Sequence, residues 1–330
     1  VTAPAQIVLR RYPDGAPTPS DFEATGLDVP EPGDGEVLVE VTHLSMDPFP
    51  RLRMQPRPPV GPPLPLGEAV DGRGLGRVVA SRFAGLAVGD MIAGDVGWRT
   101  HAVLPGDRAK RLDPGLGPPE RHLSALGPSG MTAYFAMHVV GAPEAGSTVV
   151  IAPAAGSVGS LAGQIAGLAG ARVVGIGARS QAAALTGALG FDAAVDHRDL
   201  AAGLAAACPD GVDLFLDGVG GPAHDAVVAR MNPRGRVVLL GFIAGYNDGG
   251  PPAYGTAAPI LFKRLRVEGF LLADWQARFD EALRQMSAWL GSGELRPVEH
   301  VWMGLEQAPA AFAALFGDAP PGKQIVRVQA

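Results

Sequence analysis

From Thr148 onward four short runs, TVVIA, ARVVGIG, GVDLFLDGV and GRVVLLGF, alternate with Ala/Leu-rich stretches of helical character. Runs this apolar have no side to turn toward water, so strands alternating with helices predict a parallel sheet covered on both faces. Between the first run and the helical stretch after it lies Ala154-Ala155-Gly156-Ser157-Val158-Gly159. A glycine turn in that context lets backbone N–H groups approach a pyrophosphate and sets the positive end of a helix beside it. The pattern is A-x-G-x-x-G, with Ala154 in place of the first glycine, and the flanking strand and helix carry the assignment to a doubly wound Rossmann dinucleotide domain.

The choice of dinucleotide is read at the end of the second run. A carboxylate there accepts from the ribose hydroxyls of NAD and repels a 2'-phosphate, whereas arginine attracts that phosphate. This chain continues Gly177-Ala178-Arg179-Ser180, with no acid, one guanidinium and one hydroxyl. NADPH is therefore the expected cofactor, with Arg179 and Ser180 at its adenosine end.

The first 125 residues read differently. EVLVEVTHLSM alternates as a strand does, GRVVAS and MIAG are further short strands, and Pro/Gly segments separate them. After the dinucleotide region, Gln276–Leu290 fits an amphipathic helix, and HVWMG and KQIVRV return to strand character. We expect a β-rich domain over 1–125, a dinucleotide domain over 126–296 and a tail, 297–330, that packs back on the first. A net charge of -6 with 18% charged residues offers no basic field for nucleic acid or an anionic membrane. A single cysteine, Cys208, excludes an internal disulfide, and neither end shows a charged segment followed by an apolar core, so a cytoplasmic setting is expected.

One cysteine also cannot build the thiolate-rich zinc sites of alcohol dehydrogenases. The stretch Leu66–Gly72 has no histidine, and His43, His101, His122, His138, His197, His224 and His300 show no paired spacing, so no metal site is expected. Hydride chemistry without a Lewis acid is easier on an activated C=C bond than on an isolated ketone, because charge spreads through an enolate onto one carbonyl oxygen that a single donor can hold. A tyrosine suits that task. Tyr12 is remote and Tyr134 falls in a packed helix, while Tyr246 follows the run GRVVLLGFIAG at the carboxyl side of the sheet, after Phe242, and Tyr254 shares its loop.

LSMDPFPRLRM, LGPSGMTAYF, APAAGSVGSLAGQIAGLAGARVVG, LGFDAAVDHRD, VDLFLDGVGG and ILFKRLRVEGFLLADW together resemble the zinc-free branch of the medium-chain dehydrogenase/reductases. Within it they are similar to the NADPH-dependent alkenal/one oxidoreductases. The resemblance implies a GroES-like catalytic domain, a Rossmann domain, a cleft between them, a small-molecule enone or enal substrate, and a homodimer joined near Leu265–Leu271. It places Gly130, Met131 and Thr132 near the nicotinamide and phosphates, residues 155–159 on the pyrophosphate, and Phe270, Leu271 and Leu272 behind the nicotinamide. Tyr246 matches the tyrosine of a Tyr-Asn segment that contacts the cofactor ribose or donates to the substrate carbonyl. Asp47, Phe49 and Tyr254 are expected in the substrate pocket. The chain also departs from the family: Gln181 replaces a lysine for the 2'-phosphate, His197 a tyrosine bordering it, Phe49 a tyrosine facing substrate, and Gly317–Lys323 an altered terminal loop. Quinone reduction and a cofactor-binding module without turnover are the competing readings.

Overall fold

The computed structural model describes residues 3–250, 255–317 and 319–329. Its amino-terminal part is built on β1 (Ala5–Leu9), β2 (Phe22–Gly26), β3 (Glu36–Ser45), β4 (Gly74–Ser81), β5 (Met91–Gly94), β6 (His101–Pro105) and β7 (Lys110–Arg111). The ten-residue β3 is its spine, pairing antiparallel with both β4 and β6. Alternation along β3 drives Val37, Val39 and Val41 fully into the core, as the two-residue period of a strand requires.

The apolar runs become β8 (Thr148–Ala152), β9 (Arg172–Gly177), β10 (Ala193–Asp196), β11 (Val212–Asp217), β12 (Met231–Leu239) and β13 (Arg266–Gly269). All pair in parallel, in the order β10-β9-β8-β11-β12-β13. Val149 and Ile151 enter one core and Val150 the other, which is why β8 has no polar face. The helices are α1 (Pro128–Ala133), α2 (Ser157–Leu168), α3 (Ala182–Thr186), α4 (Leu200–Ala207), α5 (Gly221–Arg230), α6 (Ala257–Lys263) and α7 (Phe279–Ser292). In α7, Ala282 and Met286 are buried while Phe279, Leu283 and Leu290 pack beside them, the face the sequence pattern marks. The sheet order reverses between β8 and β11, and ligands of such sheets bind where the strands end at that reversal.

The tail adds β14 (Glu299–Met303), α8 (Ala308–Ala314) and β15 (Lys323–Arg327). β15 pairs with β14 on one side and with β3 on the other, so the last strand completes the first sheet. Phe312 of α8 meets Trp98 and Phe22, with ring centroids 5.4 and 6.1 Å away. β13 is an edge strand, and Val267 and Leu271 are exposed within Leu265–Leu271, the segment expected to join two copies of the chain, with Leu261 and Phe262 exposed on α6 just before it. No helix among the described residues is long and apolar enough to cross a membrane.

Candidate active site

The turn after β8 leads straight into α2, with Gly156 capping the helix. A side chain on Gly159 is impossible without movement: a Cβ there would lie 2.0 Å from the Pro153 carbonyl oxygen. Ala154, which replaces the first glycine of the pattern, is accommodated because the opposing residue on β9 is Gly175, where a Cβ would come within 2.7 Å of the Ala154 methyl. The small residue has moved from the turn to the neighbouring strand. At the start of α2 the Ser157 hydroxyl is buried and has no hydrogen-bond partner among the described residues. A buried hydroxyl left without a partner beside the free N–H groups of a helix start fits an anionic oxygen, so these residues suit the pyrophosphate of a dinucleotide. Beside this turn, Asp217 at the end of β11 accepts from the N–H groups of Val219 and Gly220, both at 2.9 Å, and holds the adjoining loop.

At the end of β9 the fold adds a group that the sequence reading did not include. The segment after β9 has no acid, yet Asp196 at the end of β10 lies beside Arg179 and accepts from its Nε at 3.1 Å. Register is the reason: Asp196 pairs with Gly177 across the parallel ladder, so the neighbouring strand delivers a carboxylate that is distant along the chain. His197 follows it, its Nδ1 3.2 Å from the Gly177 carbonyl oxygen. Arg179 remains 83% exposed and Ser180 is exposed, so the guanidinium is free to reach outward. Gln181 has both ends committed: it accepts from the Ala178 N–H at 3.0 Å and donates to the Ala319 carbonyl at 2.9 Å. Arg179, His197 and Asp196 therefore gather beside Gly177.

Two ties close the cleft between the sheets. Gly322 donates to the Ala155 carbonyl at 2.8 Å, and the next residue, Lys323, reaches into the first domain to pair with Asp47 and to donate to the Met46 carbonyl at 3.0 Å. Burial alone would raise the Asp47 pKa, but the Lys323 ammonium, its hydrogen bond and one from Ser45 Oγ hold the carboxyl below its ordinary range. The second tie is Arg51, buried in the turn that follows Asp47, whose Nε donates to Asn247 Oδ1 at 3.1 Å. That bond seats the Tyr246 loop against the Phe49–Arg53 turn. Sequence reading quoted the motifs containing Lys323 and Arg51 without seeing their roles, because their partners lie 276 and 196 residues away.

Tyr246 is buried beneath Phe242, with ring centroids 5.2 Å apart, and its hydroxyl has no hydrogen-bond partner among the described residues. Burial pushes its phenol pKa up, so the proton is held at neutral pH. Tyr134 donates to Glu281 and Tyr12 to the Leu64 carbonyl, both at 3.0 Å, which commits these two phenols elsewhere. Tyr254 lies outside the described residues. Gly130 and Met131 are buried and Thr132 half-buried in α1, which packs on α2. Phe270 is buried against Trp275, Leu272 is half-buried and Leu271 is exposed. Asp47 and Phe49 line a cavity of about 520 Å³ together with Arg53, Asp71, Arg73 and Arg99. Among the described residues no three His, Cys, Asp or Glu side chains gather to hold a metal ion, and Cys208 is buried.

Residues 5–112 match the family model described as the N-terminal domain of oxidoreductase, and residues 157–288 the one described as zinc-binding dehydrogenase. A putative NADP-dependent oxidoreductase of Bacillus subtilis is 38% identical over 98% of this chain and 97% of its own length. The chain belongs to the zinc-independent medium-chain dehydrogenase/reductases. This dehydrogenase/reductase is also 37% identical to the NADPH-dependent curcumin reductase of Escherichia coli, covering 97% of one chain and 96% of the other. Among solved structures it is similar to CurA from Vibrio vulnificus in complex with NADPH, with a TM-score of 0.92, 35% identity and 99% of each chain covered. The GroES-like and Rossmann architecture expected from the sequence is thus the observed one, and the protein is an oxidoreductase of this family.

Proposed function

We propose that this enzyme uses NADPH to reduce the carbon–carbon double bond of an α,β-unsaturated aldehyde or ketone, with Tyr246 as the proton donor to the developing enolate oxygen. The observation that carries the reading is a protonated, buried phenol without a hydrogen-bond partner, on a loop tied by Arg51 and Asn247 to the wall of the substrate cavity. The similarity to a curcumin reductase supports the same substrate class.

Bound at the turn after β8, NADPH supplies a hydride to the β-carbon. The residues from Ala155 to Gly159 hold the pyrophosphate, Arg179, Ser180 and His197 meet the 2'-phosphate beside Gly177, and Gly130–Thr132, Phe242 and Phe270–Leu272 border the nicotinamide side. Tyr246 Oη gives its proton to the carbonyl oxygen as negative charge moves onto it, forming an enol; the α-carbon then takes a proton from water as the enol proton returns to the Tyr246 phenolate, which restores both the carbonyl and the phenol. A neutral donor is effective there because its hydrogen bond strengthens as the charge develops.

Tyr246→Phe is expected to lower kcat for an enone by roughly 100-fold, the low end of a lost proton donor, with KM for NADPH little changed. An unchanged kcat ends the donor role, and a loss seen only as raised KM for NADPH makes Tyr246 a cofactor contact. Assaying p-benzoquinone beside the enone separates the two substrate classes, since turnover of the quinone alone reverses the assignment.

Arg179→Ala is expected to raise KM for NADPH about tenfold, the value of one exposed charge-assisted contact, while KM for NADH moves less than about threefold. The variant acts twice, because it also leaves Asp196 unpaired and facing the phosphate. Equal changes for both cofactors remove Arg179 from the 2'-phosphate site.

A further inference from the structure

Two arginines in the wall of the substrate cavity lack an acceptor. Neither Arg73 nor Arg99 donates a side-chain hydrogen bond to any described residue, and the Nε of each is buried without a partner. Guanidinium carries five donors and remains charged at any pH a protein survives, so a half-buried one with no acceptor is an unusual expense of solvation. The carboxylates nearby accept no hydrogen bond from either side chain, although Asp71 and Glu68 both attract the Arg99 charge. Asp47 is taken by Lys323, and Asp71 accepts from Arg53 at 2.6 Å. Asp95 stands 4.0 Å from Arg73 and is 88% exposed, a separation and exposure at which solvent screens the pair. Arg99 folds back over Gly97, whose missing side chain leaves room for it: a Cβ there would lie 2.8 Å from Nη2. Because both Nε atoms are shut inside the wall, any new acceptor must be met by the terminal nitrogens.

We propose that Arg73 and Arg99 bind a carboxylate carried by the substrate at the end remote from its reducible double bond. This specifies the substrate class and rests on the enone reading above. The cavity runs from Phe49 and Asp47 to Arg73 and Arg99, and the Phe49–Arg53 turn at its near side is the one tied to the Tyr246 loop. Tyr246 itself does not line this cavity; under this proposal a linear enone has its carbonyl at Tyr246 and its other end in the cavity, whose wall carries two guanidinium groups without hydrogen-bond acceptors among the described residues. A volume of about 520 Å³ suits a molecule of that size.

The test compares ω-carboxylated straight-chain enones with their methyl esters across several chain lengths, using the full chain with NADPH. For the best length, kcat/KM for the acid is expected to exceed that for the ester by about tenfold, one charge-assisted contact, and through KM rather than kcat. Arg73→Met and Arg99→Met, which keep an apolar stem in the wall, are each expected to lower kcat/KM about tenfold more for the acid than for the ester. Equal turnover of acid and ester by the unaltered enzyme overturns the proposal without any variant, and so does a parallel loss on both substrates in the variants. Should neither substrate be reduced, the enone reading fails on its own. Calorimetry on the NADPH-loaded protein with the saturated acid and its ester then decides the anion site: tighter binding of the acid that both arginine variants abolish sustains it, and equal binding rejects it.

Discussion

Gly159→Ala is expected to abolish useful NADPH binding, with the dissociation constant raised by roughly 100-fold or more, as a displacement of about 1 Å at a binding turn can do. The added carbon would meet the Pro153 carbonyl oxygen at 2.0 Å and the Ala154 carbonyl oxygen at 2.9 Å. Both obstacles are backbone, so no side-chain rotation relieves them. The start of α2 has to move away from β8, and the N–H groups and Ser157 hydroxyl proposed to hold the pyrophosphate move with it. Crowding in a packed site also costs about 3 kcal/mol of stability. NADPH fluorescence titration and a urea midpoint measure the two effects. A variant that binds NADPH as the unaltered protein does shows that the phosphates lie elsewhere.

Asp47→Ala is expected to cost about 3 kcal/mol, toward the low end for a broken buried ion pair. The asymmetry of the pair decides this. Lys323 is 2% exposed and Asp47 44%, so removing the carboxylate strands an ammonium that water cannot reach. The damage extends to the cofactor turn, since Gly322, next to Lys323, is bonded to Ala155. Asp47 is held below its ordinary pKa by its partners, so its contribution is present above the unfolded value near 4 and is lost as pH falls through the lowered folded value. The stability gap between the unaltered protein and the variant, read as urea midpoints, is therefore expected to be widest near neutral pH and to close below about pH 4. A gap that persists unchanged into acid assigns the cost to packing rather than to charge.

Much of the dinucleotide half was legible along the chain because its signals are local. A strand with two buried faces announces itself as an unbroken apolar run, and TVVIA and GRVVLLGF did so. The α7 stripe and the turn before α2 likewise need only neighbours within a few residues. Motif order added the family and, with it, Tyr246 as the phenol to watch; that its hydroxyl has no hydrogen-bond partner among the described residues is seen only in the folded chain. What the linear sequence did not carry was the neighbour: a strand end without an acid can receive one from the next strand, and Asp196 arrives that way without overturning the choice of NADPH.

Sequence alone determined the class of fold, the glycine turn and the lack of ligands for a multi-thiolate zinc site, because periodicity, backbone sterics and residue counts act locally or on the whole chain at once. Only the tertiary structure decided the partners of Arg179, Lys323 and Arg51, and the want of hydrogen-bond partners at Arg73 and Arg99 among the described residues. Those are matters of charge, and a charge takes its meaning from whatever folding brings within a few ångströms of it.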